Sequence, residues 1–386
     1  MDNLSCTCLP LSAVSRADLE RLFPEHSSTG HFLALLEESG LDGFNLSCIV
    51  VLQAEVPVLL LPLFETRFDL SSFVEGWGKK LLQMAGRLIP GVFKPTILCV
   101  GSLVGEWSEI GVDPRIDGAT LHAAGTMALA ALQTLAGERK SDVVALYNFN
   151  LYGRLPADVF KTFTQVHYRS CASLAIDFSS MEEYLNRLSR GARKDLRRKM
   201  RAAAAVRVVR SRTIAPWLDR VYVLYLETVE RSPMAFGTLR RSFFENICEA
   251  VPCAEYTLYF VAEELVAFNL LVVKQEAMED KFFCMEYELG RHYNLYFLSW
   301  LENVRTCVER NIPVYHAGLG TEEVKAHLGA TFIPSSILFR HRRPVLDRFL
   351  AAWPAINEKT LSRLGFWPKS NRCLQRGTLE MHEQGN

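Results

Sequence analysis

Two segments half a chain apart share one pattern, and that pattern limits the folds open to this sequence. VVLQAEVPVLLL at 50–61 and YFVAEELVAFNLL at 259–271 each set β-branched and Leu residues on both sides of a short polar turn. Such a run forms two antiparallel strands around a tight connection. Each is followed by a further strand–helix–strand passage, so the spacing predicts an internally duplicated α/β chain with its boundary near residues 150–168. The alternative is coincidence, because α/β chains contain many hairpins and two can look alike. Length fits duplication: 386 residues exceed one ordinary core and suit two domains of about 150–200 residues each.

With 49% hydrophobic and 22% charged residues the chain is globular, which excludes a disordered tail or a fibrous repeat. Lys+Arg and Asp+Glu both number 43, so the net charge is zero and any anion binding must come from local clustering. Ten cysteines form no C-x-x-C pair and no Cys/His group at zinc spacing. Most sit in apolar runs, as small buried hydrophobes, and no metal is expected. The start, MDNLSCTCLPLSAVSRADLERLF, lacks the basic opening and apolar stretch of a signal peptide. The longest apolar run, 46–64, is interrupted by Gln53, Glu55, Pro57 and Pro62, and reads as two strands instead of a membrane span. A reducing, cytoplasmic setting is the expectation.

In the first half the pattern predicts a helix over 15–39, opened by Ser15 and closed by Gly40. A helix over 74–89, a strand at 96–100, an Ala-rich helix over 118–136 and a strand at 142–149 follow. In the second half, strand 171–178 leads to a capping box, Ser179 or Ser180 with Glu182 or Glu183, and a long amphipathic helix to about Ala205. Beyond the second hairpin come a strand KFFCMEYEL (281–289), a helix over 296–311, a strand IPVYHAG (312–318), a short helix EEVKAHLG (322–329) and a last strand within 330–342.

Two segments could carry chemistry. In RLSRGARKDLRRKMRAAAAVRVVRSR (187–212) eleven cations meet one acid, Asp195. At helical spacing Arg190, Lys194, Arg197 and Arg201 share one face, while Leu188, Leu196 and Met200 share another. Such a stripe suits a polyanion: the diphosphate of coenzyme A, a nucleotide-linked sugar or RNA. The plainer reading is a solvated helix face. In YHAGLGTEEVKAHLGA (315–330) a strand empties into a turn with Gly318 and Gly320, and Lys325 follows one turn into a short helix that Thr321 can cap. A lone G-x-G lacks the dinucleotide fingerprint, and no G-x-S-x-G, Walker A, H-E-x-x-H or EF-hand pattern occurs.

The run Y-H-A-G-L-G-T-E-E-V-K-A-H-L-G resembles the signature of the CelD/BioF-like acetyltransferases, a branch of the GNAT superfamily. There a strand ending in Asp-x-Gly precedes a Tyr/Phe-Lys-x-x-(Phe/Leu)-Gly helix. RKDLRRKMR (193–201) resembles that branch's Arg/Lys-rich helix, and LLLPLF (59–64) its hairpin ending in Pro-Leu. These matches run in order over residues 15–345, and the Fem-type peptidoglycan aminoacyltransferases share the same doubled architecture. The resemblance implies an α/β fold of two tandem GNAT-like domains, 1–167 and 168–345, each a mixed and mostly antiparallel sheet flanked by helices. A helical or irregular tail, 346–386, would follow, and the active site would lie in the second domain.

The activity so implied is N-acyl transfer from acyl-CoA, or from an acyl group on a carrier protein, to the amine of a small molecule, amino sugar or peptide. Acyl-CoA would be a co-substrate, with no permanently bound cofactor. In that family the Lys of the short helix lies near the reaction centre and contacts a substrate phosphate or carbonyl; here it is Lys325. His316 stands in place of the Asp, and Val324 in place of the aromatic. The coenzyme A loop would be ELGRHYN, offering Gly290, Arg291 and Asn294 without the usual Q/R-x-x-G-x-G/A, with Arg193, Lys194 and Arg197 as further cations.

Amide formation needs a proton acceptor and a hold on the carbonyl oxygen. Glu286 or Glu288 could accept the proton if burial raises its pKa, and His316 titrates in the right range unaided. The plainer readings are a solvated acid at a strand end and a structural His beside Tyr315. Two other functions fit the same residues: an aminoacyl-tRNA-dependent transferase acting on a cell-envelope precursor, and a non-catalytic polyanion-binding module. No heptad arm of the kind tRNA-dependent Fem enzymes carry is visible, which favours acyl-CoA. Zero net charge argues against the binding module.

Overall fold

Both hairpins form, and they match down to their irregularities. In the computed structural model, β2 (Phe44–Gln53) pairs with β3 (Val56–Arg67), and β10 (Ala254–Val261) pairs with β11 (Glu264–Val273). Each turn has two residues, and Ala54 and Ala262 both adopt left-handed φ, 47° and 51°. Beyond each turn the register skips one residue at the same distance: Val58 between Leu52↔Pro57 and Val51↔Leu59, Val266 between Phe260↔Leu265 and Tyr259↔Ala267. A shared bulge at a shared place is poor coincidence and good duplication. The structure describes residues 4–24, 27–67, 94–102, 110–149, 155, 157–167, 170–231 and 237–348; the helix expected over 74–89 and the tail from 349 lie outside them.

The remaining described strands are β1 (Leu4–Leu9), β4 (Thr96–Val100), β5 (Gly111–Val112), β6 (Val143–Phe149), β7 (Thr164–His167), β8 (Cys171–Ala175), β9 (Val206–Ser211), β12 (Met278–Met285), β13 (Val314–Gly318), β14 (Thr331–Ile333) and β15 (Ser336–His341). They build two sheets of one design. The first has the order β1-β2-β3-β4-β6-β15-β7, with β5 on β3; the second, read from its matching edge, runs β9-β10-β11-β12-β13-β8-β14. Both are antiparallel except at one place each, β4 with β6 and β12 with β13.

Place for place, β15 fills in the first sheet the position that β8 fills in the second. The last strand, expected within the second half, therefore crosses back to complete the first: Leu338 pairs with Leu146 and Gln165. Strand pattern fixes that a segment is extended, not which sheet accepts it.

Ten helices are described here: α1 (Arg16–Leu22), α2 (Ser27–Ser39), α3 (Gly118–Glu138), α4 (Met181–Arg187), α5 (Arg190–Ala202), α6 (Leu218–Arg231), α7 (Arg241–Ala250), α8 (Tyr287–His292), α9 (Leu295–Arg310) and α10 (Glu322–His327). The helix expected over 15–39 divides into α1 and α2, although Ser15 does cap it by accepting Asp18 N–H at 3.1 Å. The long helix expected from Ser180 breaks at Leu188, because Ser189 caps a new one by accepting Ala192 N–H at 3.2 Å. The capping box forms, with Ser180 Oγ accepting Glu183 N–H and Glu183 bonding back to Ser179 N–H.

α3 covers one face of the first sheet through Ala124, Ala128 and Leu132. One face of the second sheet packs α4, α5 and α9; the other packs α6, α7 and, from the first half, α2. There Phe32 meets Phe243 edge to face at 5.6 Å, and Leu35 and Leu36 join the same buried cluster. The halves thus share core as well as strands.

Candidate functional site

The two parallel contacts differ in a way that locates the site. In the first sheet β4 and β6 stay paired from Ile97↔Val143 to Val100↔Leu146, and their inward residues are apolar, packed on α3. In the second, β12 and β13 pair at Met278↔Tyr315 and Glu279↔His316 and then part. Strands that part leave backbone groups that a ligand can satisfy. The side chains at this fork are polar on both faces.

On the α9 face stands Asp280, the first residue past the last pair, half-buried. Asn269 Nδ2 donates to both its oxygens at 3.0 Å, and Asn303 Nδ2 and the Tyr315 hydroxyl each donate to Oδ2 at 3.1 Å. Asn269 Oδ1 in turn accepts the Tyr259 hydroxyl at 2.8 Å and Ser299 at 2.9 Å. Burial pushes the Asp280 carboxyl up to about 6, against the hydrogen bonds of Asn269, Tyr315 and Asn303 and the Lys325 ammonium. A carboxyl poised near neutrality can exchange a proton where an ordinary one is always charged. Asn303 Oδ1 is buried with no partner, an open acceptor on the amide that binds Asp280. A bulge at Lys281 sets Asp280 opposite Leu271 and turns Lys281 and Phe282 to the other face.

That other face carries Glu279 and His316. Glu279 bonds Lys274 at 2.7 Å and also Lys281; although burial opposes it, the Lys281 and Lys274 ammoniums hold its carboxyl well below the usual range. His316 is half-buried and lies between Glu279 and Ser173 in the ladder. It is on the sheet face opposite Asp280.

Lys325 is buried in α10, and its Nζ donates to Ala317 O at 2.6 Å, Gly318 O at 3.0 Å and Leu319 O at 3.2 Å. α10 is seated through Leu328, whose carbonyl accepts the Tyr184 hydroxyl at 2.7 Å, itself bonded by Trp300 Nε1 at 2.9 Å. Glu286 is not on the strand: β12 ends at Met285, and the Glu286 carboxylate caps α8 by accepting Glu288 N–H at 3.2 Å and Leu289 N–H at 2.7 Å. Glu288 is exposed in α8's first turn.

The segment expected to cradle a diphosphate is thus itself a helix. Gly290 is buried in it against the Met285 side chain, which would have to shift to admit a Cβ. Arg291 is exposed and bonds the Tyr287 hydroxyl at 3.3 Å. Asn294, at φ 54°, joins α8 to α9 and accepts Phe297 N–H at 3.0 Å. On α5, Arg193 bonds Asn186 at 2.8 Å, and Asp195 is taken by Arg198 and Lys199. Lys194, Arg197, Arg190 and Arg201 are exposed and have no ion-pair partner among the described residues.

The sequence reading singled out Lys325 and the basic stripe and did not single out Asp280, whose hydrogen-bond partners come from β11, α9 and β13. Its strand, MEDKFFCM, carries two acids and a lysine, and that local pattern does not say which acid is turned away from the lysine. Among the described residues no group of His, Cys, Asp and Glu could hold a metal ion, and no helix is long and apolar enough to cross a membrane.

Comparison with known proteins matches this architecture. A tandem GNAT protein from the clavulanic acid biosynthesis pathway aligns over 89% of this chain and 99% of its own, with TM-score 0.51 and 12% identity. The C-terminal domain of a putative lysylphosphatidylglycerol synthetase from Agrobacterium fabrum aligns over 90% and 98%, with TM-score 0.50 and 10% identity. At such identities the likeness is one of fold: two mixed α/β sheets in the tandem GNAT arrangement. It reaches the fold and not the CelD/BioF branch. No curated protein matches the sequence. The sequence model of the FemAB-like family, described as peptidoglycan biosynthesis/recognition, matches residues 151–362, more than half of the chain and all of the second sheet. The chain belongs to the FemAB-like family.

Proposed function

We propose that the chain is a transferase that passes an acyl or aminoacyl group to an amine of a cell-envelope precursor, with the reaction in the fork between β12 and β13. The observation that carries this reading is the fork itself, open after two residue pairs with the half-buried, hydrogen-bonded Asp280 at its apex. An amine attacking a carbonyl carbon forms the C–N bond, breaks the bond to the donor oxygen or sulfur, and gives up a proton that ends on that leaving atom. Asp280 relays that proton by way of the Tyr315 hydroxyl, and the open Asn303 Oδ1 accepts an N–H of the incoming group. His316, on the opposite face beside Glu279, and Glu286, occupied as a cap, are less well placed to take that proton.

Two features favour an aminoacyl ester carried on RNA over acyl-CoA as donor. The first amides of α8, where a coenzyme A diphosphate would sit, are already bonded to Glu286. The stripe Arg190, Lys194, Arg197 and Arg201 extends over roughly 16 Å of helix and is free to neutralise a phosphate backbone. The test supplies purified chain with radiolabelled aminoacyl-tRNA and, separately, acyl-CoA, each with an envelope extract. Ribonuclease-sensitive labelling of an envelope amine, abolished by Asp280→Asn, is expected. Labelling from acyl-CoA alone would replace the donor, and no labelling from either would end the reading.

A further inference from the structure

The turn that closes β13 is held by a side chain that sequence resemblance assigns to substrate. An ammonium has three N–H groups, and Lys325 Nζ donates to three successive carbonyls of one stretch of backbone, those of Ala317, Gly318 and Leu319. That stretch is conformationally costly. Gly318, Gly320 and Thr321 have φ of 72°, 79° and 50°, and for a β-branched residue such as Thr321 the left-handed region is strained. A strained residue persists where its surroundings over-determine it. Here they do: the Thr321 hydroxyl is within 2.8 Å of the Tyr296 hydroxyl on α9, and the carbonyls before it are fixed by Lys325.

Resting on the reading that the reaction occurs in the fork, we propose that Lys325 is a positioning residue whose ammonium fixes the β13 wall and does not touch substrate. In a trans peptide the N–H and C=O point in opposite directions. Turning the three carbonyls toward Nζ turns the amides of Gly318, Leu319 and Gly320 away from it. The same charge acts on Asp280, which holds the strand two residues earlier through the Tyr315 hydroxyl. Both groups therefore bear on one strand. The other titratable groups around Asp280 are Tyr259 on β10, Cys284 on β12, Tyr296 on α9 and Tyr315, and burial raises the pKa of each. Near neutrality, then, the state of the turn follows Asp280.

The test uses the full chain labelled with 15N-glycine and reads the amide resonances of Gly318 and Gly320. Lys325→Met should move both and speed hydrogen exchange over 317–321 by about tenfold or more, leaving Gly101 in the first half unmoved. Lys325→Ala should do the same, and methylammonium should restore both resonances while tetramethylammonium, which has no N–H, should not. In the unsubstituted chain the Gly318 resonance should titrate with a midpoint near 6, and Asp280→Asn should abolish that step. Unmoved glycine resonances in both lysine variants, or equal rescue by tetramethylammonium, would overturn the proposal. If Lys325→Met stops transfer with the resonances unmoved, the lysine contacts substrate. If no donor supports transfer yet the shifts occur, the proposed function falls and the positioning role stands.

Discussion

At the scale of single residues, the fork is governed by a carboxyl that is costly to ionise where it sits. Asp280 has an ordinary value of 3.8 and is pushed up to about 6 by burial. The folded chain therefore binds a proton that the unfolded chain releases. Its contribution to stability is fully present below 3.8 and is lost as pH rises through about 6. Asp280→Asn removes that dependence, so between pH 5 and pH 8 the variant should gain on the parent by about 1.4 kcal/mol in urea unfolding. A difference independent of pH would mean that Asp280 is not the titrating group. Glu286 gives a contrasting test. As a cap, its replacement by Ala should cost about 1 kcal/mol of stability, and Glu286→Ser, which keeps the cap, should preserve both stability and transfer. Loss of transfer in a stable Glu286→Ser protein would restore it as the proton acceptor. Glu286 was singled out from sequence because FFCM reads as the middle of a strand and places that acid at its mouth. The strand instead begins at Met278, where charged Glu279 and Lys281 neutralise one another and so tolerate burial. Paired charges hide a strand's start from any reading based on apolar pattern.

At the scale of elements, legibility tracked locality. The hairpins, the basic helix and the capping box were readable because each is specified by residues within a dozen positions. Where one helix was read and two exist, a serine decided it: Ser189 satisfies the first amides of α5 as a cap and so ends α4. The α8 segment, expected as a loop for a diphosphate, is helical for a local reason that was equally available, an acid before four residues able to be helical. Glu286 is an uncommon cap. Gly290 is needed for packing: a Cβ there would collide with the Met285 side chain at the end of β12. Gly290→Ala should therefore destabilise the chain by about 1–3 kcal/mol, and Met285→Ala in the same chain should recover part of the loss. A double-mutant cycle read by thermal unfolding checks it. Additive losses would show that the two residues do not meet and that α8 is held by its cap alone.

At the scale of the whole molecule, no local signal reports the exchange of strands. β15 is 6 residues long and reads as extended from its own pattern, yet its neighbours β6 and β7 lie more than 160 positions earlier. The exchange has a mechanical consequence: the first sheet cannot close between β6 and β7 until the second half has been made. Asp142 and Arg342 secure the return, with Arg342 N–H donating to Asp142 O at 2.8 Å and its guanidinium to Asp142 Oδ1 at 3.1 Å. Leu338 is buried in the first sheet's cluster with Leu146 and Leu98, although it lies near the end of the described chain. Leu338→Ala should cost about 2–5 kcal/mol, as for a buried leucine elsewhere, and the loss should be felt in the first half. The check is hydrogen exchange by mass spectrometry. Amides of 143–149 should exchange faster in the variant, with those of 267–273 in the second sheet changed less. If instead the second sheet loosened and 143–149 stayed protected, β15 would not belong to the first. Because α2 also seats Phe32 among the second half's aromatics, neither half carries a complete core of its own.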